Sequence, residues 1–374
     1  MAFKYRLRPT KGQERKMLAT LNECRWLYNH FLEERKNTYE QMGNGLTMFD
    51  QILELPALKA EQVSLQTVYS QVLQNVAVRI DLAYKAFFRR VKSGEKPGYP
   101  RFRGSNRYDS FCYPQPPNGC RLDGNRLRLS KIGDVRVILH RPILGKSKTA
   151  TIHRTSTGKW YVIFTCEVEV DPLSENANAI GIDVGLSSFA TLSTGEKVDN
   201  PRFFRHDEKA LAKAQRRMSK EAKGTPEREK RRQVVTHIHE RVASRRHDFA
   251  HQLSRSIVNR YGLIAVEDIH VNRMLHNHCL AKSIADAAWS DFLRCLSYKA
   301  EYAGRKWIAV NPAYTSQDCS ACGHRQQLSL SDREYHCPCC DLVMDRDQNA
   351  ALNILALGLQ RLGIQPVEAA QVAE

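Results

Sequence analysis

Residues 337–354 read CPCCDLVMDRDQNAALNI, and the fold turns on what this stretch is. A cysteine pair of metal-binding type, Cys337 and Cys340, is followed by the triplet Asp345, Arg346, Asp347, which opens an Ala/Leu/Asn-rich helix. Carboxylates at a helix start usually act as caps, because they satisfy unpaired amides and the positive end of the helix dipole. Behind a thiol knuckle they can also be ligands for a hard cation.

The knuckle has a partner upstream. Cys319 and Cys322 in CSAC complete the pattern C-x₂-C-x₁₄-C-x₂-C, one residue short of the usual zinc-ribbon spacing. Two thiolate pairs suit tetrahedral Zn²⁺, and four protein ligands leave no open position, so one structural ion is expected. Gly323 and Asp341 occupy the turn positions of the two knuckles, and Cys339 is an extra thiol. Eleven cysteines, an odd count without a secretion signal, argue for reduced thiols and metal ligands over disulfides.

Two more acids end apolar strands. IGIDVG places Asp183 after a strand, with Gly181 and Gly185 permitting close approach of a ligand or another backbone. IAVED places Glu267 at a second strand end, and strand alternation gives Asp268 the opposite face. Taken singly, Asp183 could begin a turn, Glu267 could pair with an arginine, and Asp345 or Asp347 could cap. Jointly, strand ends and helix starts converge on one edge of an α/β sheet, where active sites gather. Carboxylates brought together there repel unless cations neutralise them. Two Mg²⁺ ions would serve, clamping the attacking and leaving oxygens of a phosphodiester. The constellation reads as a metal-dependent nuclease or strand-transfer site.

The charge balance supplies the substrate class. Lys and Arg number 57 against 40 Asp and Glu, so the chain carries 57 − 40 = +17. Residues 202–246 hold 15 basic against 6 acidic groups, and residues 85–107 hold 8 against 1. Such clustering favours a polyanion-binding surface. In YKAFFRRVK and GYPRFR, basic groups alternate with aromatics; Lys85, Arg89, Arg90, Lys92, Lys96, Arg101 and Arg103 are candidate phosphate contacts, whereas Tyr84, Phe87 and Phe88 read as core. Gln71, Gln74 and Asn75 could reach base edges. No GxxxxGK[ST] or GxGxxG loop, signal peptide or membrane-length apolar run appears, so a cytoplasmic protein without membrane or small-molecule partners is expected.

Along the chain, residues 1–9 read as a strand, 12–39 and 65–91 as helices, and 43–56 as a loop. Short alternating runs up to residue 170 suggest a small barrel with Leu127, Leu129, Val135, Val137, Ile152, Val162 and Phe164 inside. A strand-turn-strand with a TGEK hairpin follows, then a long basic helix over 204–261 broken near KGTPE, the LIAVED strand, a helix over 284–302 and the KWIAV strand.

Here the motifs reach a resemblance. GIDVG, RHDFAHQLS at 246–254, VED, the two cysteine pairs and DRDQNAALNI resemble the TnpB (OrfB) proteins of bacterial insertion sequences, relatives of type V CRISPR nucleases. So do RPTKGQ at 8–13, RWLYN at 25–29, YKAFF at 84–88 and PGYPRFR at 97–103. The resemblance implies an RNA-guided DNA endonuclease of a transposable element, bacterial and cytoplasmic, nucleoid-associated when acting. Its partners would be a guide RNA and a double-stranded DNA target cut beside a short adjacent motif. It implies a RuvC, RNase H-like domain whose three acids match Asp183, Glu267 and Asp347, with Asp345 as the runner-up for the third and Arg346 beside it. The implied fold is a multidomain α+β and α/β chain. Residues 1–10 and 95–172 form a wedge-like β-barrel, 11–94 a helical recognition domain, 178–315 and 345–360 the nuclease, 316–344 a zinc-ribbon insertion, and 361–374 a disordered polar tail. Two rivals remain at this level: a transposase-type strand transferase using the same acids, and a non-cleaving zinc-ribbon regulator.

Overall fold

The computed structural model describes residues 1–105, 107–329 and 332–364. It falls into two units, Met1–Glu169 and the chain from Val170 onward, each an α+β assembly. The polar tail expected at 361–374 lies, from residue 365, outside the described residues.

The first unit begins with strand β1 (Ala2–Arg8) and helices α1 (Lys11–Met42), α2 (Met48–Glu61) and α3 (Ser70–Lys92). Six strands follow: β2 (Ser110–Tyr113), β3 (Cys120–Asp123), β4 (Arg126–Leu129), β5 (Gly133–Ile138), β6 (Lys146–Arg154) and β7 (Trp160–Glu167). All seven form one antiparallel sheet in the order β2-β6-β7-β1-β5-β4-β3. The alternation read in β7 holds, with Trp160, Val162, Phe164 and Cys166 buried. All seven residues expected inside the small barrel are buried in one core with α1 and α3. The RPTKGQ motif has a local reason: Thr10 and Gln13 make a reciprocal capping box at the start of α1, and Gln13 Nε2 also donates to the Asp134 carbonyl at 2.8 Å.

Three expectations need correction here. The stretch 43–56 is not a loop, because α2 starts at Met48 behind a second capping box, Thr47 with Asp50. Leu55 and Leu58 bury against the core, and tertiary packing carries the helix through Pro56. The second helix starts at Ser70, since residues Val63–Thr67 form a 3₁₀ turn that buries Leu65. Phe88 is 54% exposed rather than core, while Tyr84 and Phe87 are half-buried around Tyr99.

The second unit opens with β8 (Ala179–Asp183), β9 (Ser188–Leu192) and β10 (Lys197–Asp199), followed by α4 (Phe203–Ser219) and α5 (Pro226–Arg260). Next come β11 (Leu263–Glu267), α6 (Val271–Met274), α7 (Ala281–Ala287), α8 (Trp289–Tyr302) and β12 (Lys306–Val310). The last described elements are the hairpin β13 (Glu334–His336) and β14 (Val343–Asp345) and helix α9 (Arg346–Arg361). The expected single helix over 284–302 is two, broken at Ala288, whose φ of 56° is left-handed.

The five-stranded sheet runs β10-β9-β8-β11-β12, parallel among β8, β11 and β12 and antiparallel at the β8–β9–β10 edge. Its central strands are covered on both faces, which is why they read as unbroken apolar runs. Ile180, Ile182, Ile264 and Val266 pack in a core that includes Ile257 of α5 and Phe292 and Leu296 of α8. The alternate residues Leu263 and Ala265 pack with Ile354 and Leu359 of α9. No described helix is long and apolar enough to cross a membrane.

Candidate active site and metal centre

Register and parity bring two acids to one place. β8 and β11 are parallel with Ile182 opposite Val266, so Asp183 and Glu267 follow on the next rung of adjacent strands. With side chains alternating, Asp183 shares the face of Gly181, and Glu267 shares the face of Leu263 and Ala265, which is the α9 face. Asp268 falls on the other parity, as expected. Gly181 gives the close approach its residue type suggested, and the approaching group is helix backbone: an added Cβ would run into the Ala351 carbonyl and Leu355. α9 is therefore seated on β8, and its first turn carries Asp347 to the same edge.

The electrostatics register this meeting. Burial, then the charges of Glu267 and Asp347, push the Asp183 carboxyl up to about 8, against a downward pull from Arg346. Burial also raises Glu267, opposed by a hydrogen bond from Thr315. The carboxylates interact without closing tightly: among the described residues, only thiols bring three or more metal-ligating atoms within 4.8 Å of one another. A half-buried acid whose neutral form is favoured by two other acids belongs to a donor set in need of a cation, and hard oxygen donors fit Mg²⁺.

Asp345 and Asp347 are separated by role. Asp345 is the N-cap of α9: its Oδ1 accepts from the amides of Asp347 and Gln348, both at 3.1 Å, and Lys197 Nζ lies 2.6 Å from its Oδ2. Arg346 is half-buried and donates to the Ser329 carbonyl at 2.6 Å.

The thiol cluster is formed by Cys319, Cys322, Cys337 and Cys340. Cys319 and Cys340 sulfurs are 3.6 Å apart and those of Cys322 and Cys337 3.5 Å. Two thiolates on one tetrahedral Zn²⁺ at ~2.3 Å stand roughly 3.8 Å apart, so the four sulfurs fit the ion. Gly323 and Asp341 both take the left-handed conformation at their knuckles, with φ of 74° and 55°. Burial works against charge on Cys337, but amides of Cys339 and Cys340 outweigh it and bring the thiol down to about 6. Cys339 is exposed and outside the cluster.

The candidate nucleic-acid contacts divide. On α3, Lys85, Arg89 and Lys92 are exposed and Arg90 is half-buried, with Lys85 Nζ 2.9 Å from Asp81. Arg101 is exposed, as is Arg103, whose backbone is gripped by both ends of the Asn29 carboxamide, joining the RWLYN and PGYPRFR motifs. Gln74 is exposed, whereas Gln71 donates to Gln115 and Asn75 accepts from Arg79.

Sequence reasoning missed Thr315, Asn349, Asn353 and Lys197. Thr315 is a buried hydroxyl 2.5 Å from Glu267 Oε1. The asparagines were in view as part of DRDQNAALNI, but only the structure supplies their partners. Lys197 is one of many lysines, and nothing in its neighbourhood marks it.

Three family models match this chain: one described as "Probable transposase" over residues 163–278, a Cas12f1-like TNB domain over 289–354, and a helix-turn-helix domain over 1–44. In the structure residues 1–44 comprise β1 and the single helix α1. A Streptomyces pristinaespiralis protein named "Putative RNA-guided DNA endonuclease" is 35% identical over 96% of this chain and 89% of its own. An Escherichia coli K12 protein with the same name, InsQ, is 32% identical over 96% of this chain and 92% of its own. The chain also aligns to a Cas12f1 chain solved by cryo-EM with sgRNA and target DNA, at 15% identity and a TM-score of 0.37, over 95% of this chain and 98% of that one.

Proposed function

We propose that this chain, which belongs to the TnpB (OrfB) family, is an RNA-guided, Mg²⁺-dependent DNA endonuclease that cuts target DNA next to a short adjacent motif. One observation supports the reading most: Asp183 and Glu267 end adjacent parallel strands, and the charges of Glu267 and Asp347 both bear on the Asp183 carboxyl. The second unit is then a RuvC-type, RNase H-like nuclease over 178–315 and 345–360, with the zinc ribbon inserted at 316–344.

Asp183, Glu267 and Asp347 would hold two Mg²⁺ ions. Bound there, the ions supply activation of the attacking water and stabilisation of the leaving 3′-oxygen. The chain's own part is to orient the three carboxylates and to keep Asp345 engaged as a cap. The four cysteines would hold one structural Zn²⁺ that keeps the ribbon folded and makes no cut.

The sheet of the first unit, read as a wedge-like barrel over 1–10 and 95–172, and the helices over 11–94 are proposed to grip guide RNA and target. Lys85, Arg89, Arg90, Lys92, Arg101 and Arg103 are the phosphate contacts in this reading, and Gln71, Gln74 and Asn75 the base-edge candidates. Guide pairing would supply sequence choice, leaving duplex shape and the adjacent motif to the protein. It would act in the bacterial cytoplasm, on the nucleoid.

The test is to sequence the RNA that co-purifies, then offer a matching DNA with Mg²⁺ or with EDTA. Cutting only with Mg²⁺, lost in Asp183→Ala with binding retained, is the expected result. The family model's description keeps one rival in play: joined DNA products without added RNA would replace guided cutting with strand transfer.

A further inference from the structure

We propose that Thr315 is a positioning residue for Glu267, and that Asn349 and Asn353 clasp the Thr315 loop to α9, so that the zinc ribbon helps set the second acid. The inference rests on reading Glu267 as a cation-binding acid.

Thr315 lies in the loop between β12 and the first knuckle and is 3% exposed. Its Oγ1 has two acceptors in reach, Glu267 Oε1 at 2.5 Å and the Pro312 carbonyl at 3.1 Å, and one hydrogen to give. The shorter bond to an ionisable acceptor takes it, because charge-assisted hydrogen bonds are the stronger kind. That bond holds one carboxylate oxygen and leaves the other for a cation.

The loop is held from α9. Asn353 Nδ2 donates to the carbonyls of Thr315 at 2.8 Å and Asp318 at 2.7 Å. One turn earlier, Asn349 is fully buried; its Nδ2 donates to the Asp318 carbonyl at 2.8 Å and its Oδ1 accepts the Ser320 amide at 2.9 Å. Asp318 and Ser320 flank Cys319, a member of the thiol cluster. One helix thus presents the third acid, Asp347, and two carboxamides that fix the loop orienting the second. These bonds to loop backbone hold it firmly, because breaking one at the buried Asn349 strands a polar group in the interior.

The test uses the full chain with its co-purified RNA. Thr315→Val keeps the shape and removes the donor; Thr315→Ser keeps the donor. Mn²⁺ titration of the protein without DNA, read by electron paramagnetic resonance, is compared with the Mg²⁺ dependence of guided cutting. Expected for Thr315→Val is a tenfold or greater weakening of Mn²⁺ binding, on the order seen for outer-shell partners of metal ligands, with a matching rise in the Mg²⁺ needed for half-maximal cutting. Target binding and zinc content stay at wild-type values, and Thr315→Ser recovers to within about twofold. Asn353→Ala should move Mn²⁺ binding the same way and speed zinc release to a chromogenic chelator. Unchanged Mn²⁺ binding in Thr315→Val, or a Thr315→Ser variant as weak as Thr315→Val, overturns the assignment. A wild-type chain that binds Mn²⁺ but never cuts guided DNA defeats the nuclease reading instead, while the Mn²⁺ comparison still judges Thr315.

Discussion

Lys197 Nζ sits 2.6 Å from Asp345 Oδ2, while the other oxygen of that carboxylate caps α9. Asp345 is therefore spoken for on both sides, and Asp347, one residue into the helix, is the acid left for the sheet edge. The two substitutions should part company. Asp347→Asn is expected to lower guided cutting at least about a hundredfold, roughly 3 kcal/mol in the barrier. Asp345→Asn keeps a capping oxygen and loses only a half-exposed ion pair, so the melting free energy should fall by no more than about 1 kcal/mol with cutting largely kept. Cutting lost in Asp345→Asn and kept in Asp347→Asn would exchange their roles, and equal loss in both would end the distinction.

Asp183 predicts a pH dependence with a definite sign. Its folded pKa is raised to about 8 from an ordinary value near 3.8, so the folded state holds a proton that the unfolded chain releases. Stability from this group is full below about pH 4 and is lost as pH rises through about 8. In EDTA, melting temperature should decline over that window, and Asp183→Asn should flatten the decline. Added Mg²⁺ should restore stability at the alkaline end, where the carboxylate is charged, in proportion to the logarithm of its concentration. A melting temperature that ignores Mg²⁺ at pH 8 would show that no cation binds there.

Much of this edge was legible beforehand, for physical reasons. Unbroken apolar strands, a basic helix with one apolar face and a cysteine spacing each leave a periodic or positional trace, and the acids at 183 and 267 stand where those strands stop. The α2 helix was obscured by Pro56, although Thr47 and Asp50 spell out its cap. The break at Ala288 has no residue-type signal, since alanine favours helix and only packing turns it left-handed. Thr315 acts through a distant carboxylate and the two asparagines through distant backbone groups, and such partners exist only after folding.

Gly181 is the point where α9 meets β8. A Cβ there would run into the Ala351 carbonyl and Leu355, so Gly181→Ala must push the helix off the strand. The expected cost is about 1–3 kcal/mol in unfolding free energy, the range for overpacked cores. Asp347 rides on the same helix, so cutting should fall further than the stability loss alone implies. A denaturant melt beside a cleavage assay below the melting range checks this; wild-type behaviour in both would mean α9 is not seated as described.

The thiol cluster makes a claim about one cysteine by exclusion. Purified protein should carry one zinc per chain, and Cys337→Ser or Cys340→Ser should lose most of it. Cys339→Ser should retain it, because that thiol is exposed and stands outside the four. Stripping zinc should unfold the ribbon, since structural sites of this kind draw on the order of 10 kcal/mol of folding free energy from the metal. Zinc content by mass spectrometry settles the ligand set, and a Cys339→Ser chain without zinc would redraw it.

Charge on the first unit should be read through salt rather than through a single affinity. Each side chain that neutralises a phosphate releases a counterion, so its loss should shrink the slope of log affinity against log salt by roughly 0.7–0.9. Arg89, Lys92 and Arg101 are exposed, whereas Lys85 already has Asp81 at 2.9 Å and should contribute less. Replacing Arg89 and Lys92 together by alanine should therefore flatten the slope for RNA or DNA by about 1.5, and Lys85→Ala by a smaller step. The loss should be the same for guides of different sequence, because phosphate contacts carry no base information. Filter binding across a salt series decides it, and an unchanged slope in the double variant would move the nucleic-acid path off this face of α3.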